Sequence, residues 1–306
     1  MRFPQTLQEA ILYFADKQRA HDYMVNLRWP NGIACPRFGC GSADVQIIAT
    51  RKIWRCKECK RDFSTKVGTI FEDSALGLDK WLPAVWLIAS AKNGISSYEI
   101  KRALGLGSQR TAWFMLHRIR LAMQSKTFEK LSGSVEVDET YVGGKKRSSH
   151  PLAGRGRKSK GPRDGKTVVM GIIERRGKVR AFVVPDVTRA TLHGRINQYV
   201  EVGANVYTDA WPAYRHLVNY AHYVVNHDEE YVRGHIHTNT IENFWSLLRR
   251  ALRGTYIAAR PFHLSRYIDE QAFRFNTRDL TDGDRFALAA KAIEGCRVTW
   301  DELTGK

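Results

Sequence analysis

No apolar run in this chain approaches the roughly 20 residues of a membrane-spanning helix, and its first residues lack the basic-then-apolar layout of a secretory leader. The protein is therefore expected inside the cell and off the membrane. Cysteine is scarce, with 5 in 306 residues. Disulfides are rare in intracellular proteins, so clustered cysteines point to metal rather than to bridges. Acidic residues are in short supply as well: 31 Asp and Glu face 49 Lys and Arg, a formal net charge of +18. That balance favours polyanionic partners, nucleic acid before a membrane surface. There is no internal repeat. Core material is present in ordinary amount, with 43% hydrophobic residues, and the length suits one core of usual size with small modules attached.

Four of the cysteines fall within residues 33–66, as Cys35-Pro-Arg-Phe-Gly-Cys40 and Cys56-Lys-Glu-Cys59. Two such knuckles can set four thiolates tetrahedrally around Zn²⁺ in a ribbon of strands, predicted here over residues 31–66. Buried free thiols are the competing reading. Lys and Arg outnumber Asp and Glu by 8 to 3 in this segment, so it has little core of its own without a metal. A closed Cys₄ site leaves no position for substrate, and the zinc is expected to be structural. Cys296 stands alone in a helical pattern and reads as a core residue.

Apolar residues at helical spacing from Leu7 to Leu27 predict a helical segment over residues 1–30, broken at Pro30-Asn31-Gly32. Residues 78–126 read as helices separated by Asn93-Gly94 and by Gly105-Leu106-Gly107. The helix, glycine turn and helix from Ser96 to Arg120 have the layout of a DNA-binding helix-turn-helix, although helical pairs in ordinary cores share it. Ser108 is the candidate cap of the second helix. Gln109, Arg110 and His117 are then expected to face a DNA groove while Ala112, Met115, Leu116 and Ile119 pack inward.

From residue 133 the period changes to short β-branched runs at 134–137, 167–173 and 179–184, followed by a helix at 189–200. A strand ending at Asp209, a helical stretch at 211–218, a strand at 222–225 and helices at 241–253 and 261–275 complete the pattern. This order is that of an α/β RNase H-like fold, a mixed sheet with flanking helices, over residues 133–280; a helical tail follows at 281–306. Between the first two strands, Gly143–Lys166 carries nine Lys or Arg and one acidic residue. Lys145, Lys146 and Arg147 in this loop are candidate DNA contacts, since cations beside a phosphodiester site release counterions on binding. A solvated hairpin tip is the plainer alternative.

Asp138 and Asp209 at strand ends and Glu242 on a helix suit a site for Mg²⁺ or Mn²⁺, hard cations that take oxygen ligands. Two such ions can clamp the attacking and leaving oxygens of a phosphoryl displacement. In the first strand Val135 and Val137 share one face, leaving Glu136 and Asp138 on the other and Glu139 pointing away. Taken singly, Asp138 also fits an exposed strand face and Asp209 a turn start before Trp211-Pro212. Glu242 also fits a capping box opened by Asn239. Ile241, Phe244, Trp245, Leu248, Ala251 and Leu252 form one apolar stripe of that helix. Glu242 and Arg249 lie on another face, with Arg249 roughly 10 Å further along the axis and a candidate for DNA phosphate.

These motifs resemble those of the ISXO-like insertion-sequence transposases, relatives of the Merlin transposases. The resemblance is carried by Leu27-Arg-Trp-Pro-Asn-Gly-Ile-Ala-Cys35-Pro, Trp54-Arg-Cys56-Lys-Glu-Cys59, Val137-Asp138-Glu-Thr-Tyr-Val-Gly-Gly144, Tyr207-Thr-Asp209 and His237-Thr-Asn-Thr-Ile-Glu242-Asn-Phe-Trp-Ser-Leu-Leu-Arg249. It covers residues 20–280. It implies a zinc ribbon, a helix-turn-helix and a DDE catalytic domain in which Asp138, Asp209 and Glu242 hold two Mg²⁺ ions. Double-stranded DNA, both element ends and target, is the implied partner, cut and joined by a homodimer or higher oligomer. The implied location is the bacterial or archaeal cytoplasm, at the nucleoid. The chain departs from the family in its longer first knuckle and in Arg249 where Lys is common, and relatives with Asn as third residue leave Asn239 and Asn243 as alternatives to Glu242. A DNA-binding repressor with a decayed catalytic domain and an RNase H-like RNA nuclease are the rival readings.

Overall fold

The computed structural model describes residues 3–124, 129–143, 165–225, 236–257 and 259–305. They fall into two compact units, Met1–Gln124 with Thr277–Lys306, and Ser125–Asn276. No helix among the described residues is long and apolar enough to cross a membrane.

The first unit opens with helices α1 (Leu7–Ala15) and α2 (Lys17–Arg28). Thr6 and Glu9 form a capping box for α1, and the Asp16 carboxylate accepts the Gln18 and Arg19 amides to start α2. Each cap satisfies amides that the first turn leaves without helical partners. Strands β1 (Val45–Ile48), β2 (Ile53–Cys56) and β3 (Asp62–Phe63) then form a small antiparallel sheet in that order. Trp54 and Phe63 are buried on it beside Cys35 and Cys56, with Val25 and Trp29 packed against them. Helices α3 (Leu78–Ser90), α4 (Ser97–Leu104) and α5 (Gln109–Ala122) follow. Gly105 ends α4 at φ 60°, a left-handed position that glycine adopts without penalty, and Ser108 caps α5 by accepting the Thr111 amide.

The second unit holds a five-stranded sheet of β4 (Ser134–Val142), β5 (Thr167–Glu174), β6 (Val179–Val184), β7 (Asn205–Asp209) and β8 (Ala221–Val225), with α6 (Arg189–Tyr199) between β6 and β7. The strand order is β6-β5-β4-β7-β8, in which β4 pairs antiparallel with β5 and parallel with β7. One face packs Val135, Val137, Met170 and Ile172 against Leu192 and Ile196 of α6. The other packs Val169 and Ile173 against α7 (Asn239–Arg250) and α8 (Leu264–Asn276). The alternation along β4 thus sends odd-numbered valines one way and Glu136, Asp138 and Thr140 the other. A π-helical turn, Ala251–Tyr256, extends α7.

The helix expected at 211–218 does not form. Pro212 starts only a 3₁₀ turn to Tyr214, after which Arg215 is extended and His216 takes a left-handed φ of 66°. The chain returns to the first unit with α9 (Asp282–Lys291) and α10 (Trp300–Thr304). Phe286 of α9 is fully buried among the rings of Phe3, Phe14, Tyr23 and Trp86.

Candidate active site and zinc ribbon

The cysteine sulfurs converge although their knuckles are unequal in length. All four ligand atoms lie within 4.8 Å of one another, Cys35 to Cys59 at 3.8 Å and Cys40 to Cys56 at 3.6 Å. A tetrahedron with Zn–S bonds of about 2.3 Å has edges of about 3.8 Å, so the donor set fits Zn²⁺. Without metal, burial pushes the Cys35 thiol up to about 12, while backbone N–H groups of Cys59 and Glu58 draw Cys56 down to about 7.

Asp138 lies mid-sheet on β4, opposite Gly171 of β5. The parallel register of β4 and β7 pairs Val135 with Val206 and Glu136 with Tyr207. Continued by two residues, it brings Asp209 level with Asp138 on the same face. Burial raises the Asp138 carboxyl from 3.8 to about 6; the Trp245 N–H opposes the rise, and the charges of Asp209 and then Glu242 add to it. The Asp138 carboxylate therefore feels the charge of both others. Yet among the described residues only the cysteines bring three or more such ligand atoms within 4.8 Å of one another, so the three carboxylates do not all come that close together.

Each carboxylate is oriented by a donor on its own element or the facing one. The Trp245 indole donates to Asp138 Oδ2 at 2.8 Å, the Trp211 amide to Asp209 Oδ1 at 3.0 Å, and the Thr238 hydroxyl to Glu242 Oε1 at 3.1 Å. Gly171 makes the first of these contacts geometrically possible. A Cβ there would sit 2.7 Å from the Trp245 ring and 2.8 Å from Ile241, closer than packed carbons come. Arg249 is exposed on α7 and donates to Thr140 Oγ1 at 2.7 Å.

The start of α7 differs from the capping box read in the sequence. Thr238 is the N-cap, Asn239 is already helical, and no side chain of that segment caps the helix. The missing acceptor comes from 104 residues away. Glu136, fully buried, accepts the Thr240 amide at 2.8 Å, the Ile241 amide at 3.0 Å and the Thr240 hydroxyl at 3.0 Å. Arg175 pairs with the same carboxylate at 2.7 Å and is stacked 3.9 Å from the Tyr207 ring centroid. The alternation set Glu136 on the face opposite the valines, but nothing local could show that this face is buried or name its partners.

In the first unit Gln109 donates to Ser97 Oγ at 2.6 Å, and the exposed Arg110 lies 4.1 Å over the ring of Trp300. His117 does not face outward: it is fully buried, edge-on to Trp113 with ring centroids 4.4 Å apart. It follows Trp113 by one helical turn on the covered side of α5, so the expectation that it faces a DNA groove is not met. Lys145, Lys146 and Arg147 lie outside the described residues.

Comparison with known proteins bears directly on this arrangement. Residues 130–276 match the ISXO2-like transposase domain, and residues 15–62 match the transposase zinc-ribbon domain. The chain is 31% identical over 257 residues to an uncharacterized protein in transposable element ISH50 of Halobacterium salinarum, covering 78% of this chain and 84% of that one. It is 32% identical over 123 residues to an uncharacterized transposase-like protein of Haemophilus influenzae, covering 40% of this chain and 98% of that one. No solved structure matches. The cysteine cluster coincides with the matched ribbon and the facing acidic residues with the matched transposase domain: the chain belongs to the ISXO2-like family of insertion-sequence transposases.

Proposed function

We propose that this protein cleaves phosphodiesters at the ends of its own element and joins the freed 3′-hydroxyl to target DNA, with Asp138, Asp209 and Glu242 as the metal-holding residues. The observation that carries the reading is the approach of three acidic side chains on one side of a sheet ordered as in RNase H-like domains, where burial raises the Asp138 carboxyl and the charges of Asp209 and Glu242 add to the rise. Such mutual repulsion is relieved by a cation, and a set of hard oxygen donors suits Mg²⁺ or Mn²⁺. Asp138, Asp209 and Glu242 would together hold two such ions. Bound ions would supply Lewis acidity at the scissile phosphate and a more acidic nucleophile.

The chain's own residues have distinct parts in this scheme. Asp138 and Asp209 set the floor of the site from adjacent parallel strands, and Glu242 reaches it from the first turn of α7. Trp245, Trp211 and Thr238 are neutral donors, so they turn the carboxylates without cancelling their charge. Arg249, held beside Thr140, is placed to meet a phosphate of the bound strand as a two-pronged donor. DNA ends are read by the α4–α5 pair through Gln109 and Arg110, while Lys145, Lys146 and Arg147 bind any duplex through its phosphates. Joining two ends calls for at least two copies of the chain.

The test is strand nicking at labelled element ends with Mg²⁺ or Mn²⁺, beside a binding titration for each variant. Asp138→Asn, Asp209→Asn and Glu242→Gln should bind ends as the unsubstituted chain does and cut at least a hundredfold more slowly. Gln109→Ala should weaken end binding more than binding to random duplex, and neutralising Lys145, Lys146 and Arg147 should weaken both and flatten the salt dependence. Tight end binding without any cutting under either metal favours a repressor, and undiminished cutting by Asp138→Asn removes the proposed site.

A further inference from the structure

Three polar residues of β4 on one face each hold a different turn of α7. Glu136 takes the Thr240 and Ile241 amides, Asp138 takes the Trp245 indole, and Thr140 takes the Arg249 guanidinium. Two residues of strand advance about 6.6 Å, and four residues of helix advance about 6 Å. The periods nearly coincide, so a strand and a helix running the same way can be joined at successive rungs. Slipping α7 by one residue would unmake all three.

The lowest rung is built differently from the others. Glu136 has no exposure, receives Arg175 at 2.7 Å and engages two backbone amides and one hydroxyl of α7. Arg175 also donates to the His237 carbonyl at 2.7 Å, tying down the residues that lead into the helix. Glu242 lies one residue beyond the last amide that Glu136 holds. Its direction is thereby set by a contact that it does not itself make.

Resting on the reading of Asp138, Asp209 and Glu242 as the metal-holding trio, we propose that Glu136, Asp138 and Thr140 form a register ladder for α7, and that Glu136 is a positioning residue that aims Glu242 at the site. It touches neither metal nor DNA. A carboxylate rather than an amide is required because both its oxygens must accept. Glu136→Gln turns an NH₂ group toward one pair of donors, either Arg175 with the Thr240 hydroxyl or the two backbone amides.

The experiment compares Glu136→Gln, Glu136→Asp and Thr140→Val in the full chain by amide hydrogen exchange and by cleavage of element ends. Exchange at Thr240 and Ile241 should quicken at least tenfold in Glu136→Gln and less in Glu136→Asp, which keeps the charge but withdraws it by about 1.5 Å. Cleavage with Mg²⁺ should fall tenfold or more in Glu136→Gln, in line with the cost of displacing a catalytic group by about 1 Å. The ratio of Mn²⁺ to Mg²⁺ rates should rise, because Mg²⁺ demands near-ideal octahedral geometry and loses more from a misdirected ligand. A loss of general stability would lower both rates alike. Thr140→Val, which removes only the upper rung, should show a smaller change of the same kind and serves if Glu136→Gln does not fold. Unchanged exchange at Thr240 and Ile241 overturns the ladder, and faster exchange with an unchanged metal ratio overturns the positioning role. If the unsubstituted chain cuts nothing, the phosphodiester reading fails while exchange still decides the ladder.

Discussion

Asp138 shows how one side chain can both weaken the fold and serve the chemistry proposed for its site. An unfolded aspartate titrates near 3.9, whereas in the fold burial pushes Asp138 up to about 6. The folded chain therefore holds a proton over that window which the unfolded chain has released. The sign follows from linkage: this group's penalty is absent below about pH 4, grows as pH rises through about 6, and reaches about 1–3 kcal/mol at pH 7. In metal-free protein Asp138→Asn should then melt higher than the unsubstituted chain at pH 7.5 and level with it at pH 4. Thermal melts at both values, with and without Mg²⁺, check this, and Mg²⁺ should stabilise only the unsubstituted chain. That Asp138 shares a strand face with Glu136, opposite the valines at 135 and 137, was legible in the alternation, whereas its burial was not. The roles of Glu136, Trp245 and Gly171 were not, because each depends on a residue more than 70 positions away.

At the scale of elements, legibility followed how local the determining interaction is. The strand at 179–184 and the Ser108 cap rest on neighbours in sequence and were readable there. The start of α7 was misread because its cap is supplied by another strand, and the 211–218 helix because an apolar pattern took no account of the turn at His216. The zinc ribbon lies at the local extreme, since spacing alone named its four ligands. Its strands are four, four and two residues long. So little sheet buries too little apolar surface to hold without the metal. Removing zinc with a chelator, or replacing Cys56 with Ser, should unfold residues 31–66 and leave the sheet of the second unit intact. Hydrogen exchange over the two segments measures this, and equal protection of the ribbon with and without zinc would refute a metal-dependent fold.

For the whole molecule, the notable fact is that the first unit is assembled from both ends of the described chain, with the second unit between them. The aromatic cluster joins Phe3, Phe14, Tyr23 and Trp86 to Phe286, which is fully buried. Phe286→Ala should cost the first unit about 3–5 kcal/mol, the range for deleting a buried phenylalanine. All five of these rings belong to the first unit, so the melting of the second should be unchanged. Protease sensitivity resolved by fragment mapping distinguishes the two, and equal sensitivity of both units would contradict their separate cores.

The same arrangement imposes a timetable on synthesis. A ribosome emits roughly 5–20 residues each second, so the aromatic rings near the start of the chain wait on the order of ten seconds or more for Phe286, some 200 residues behind Trp86. The second unit is complete by Asn276, before that ring has emerged. The domain that is proposed to cut DNA can therefore mature while the unit proposed to choose the DNA still lacks a core residue. Both units expose apolar surface while they wait, the second until Asn276 and the first until Phe286 shortly afterwards.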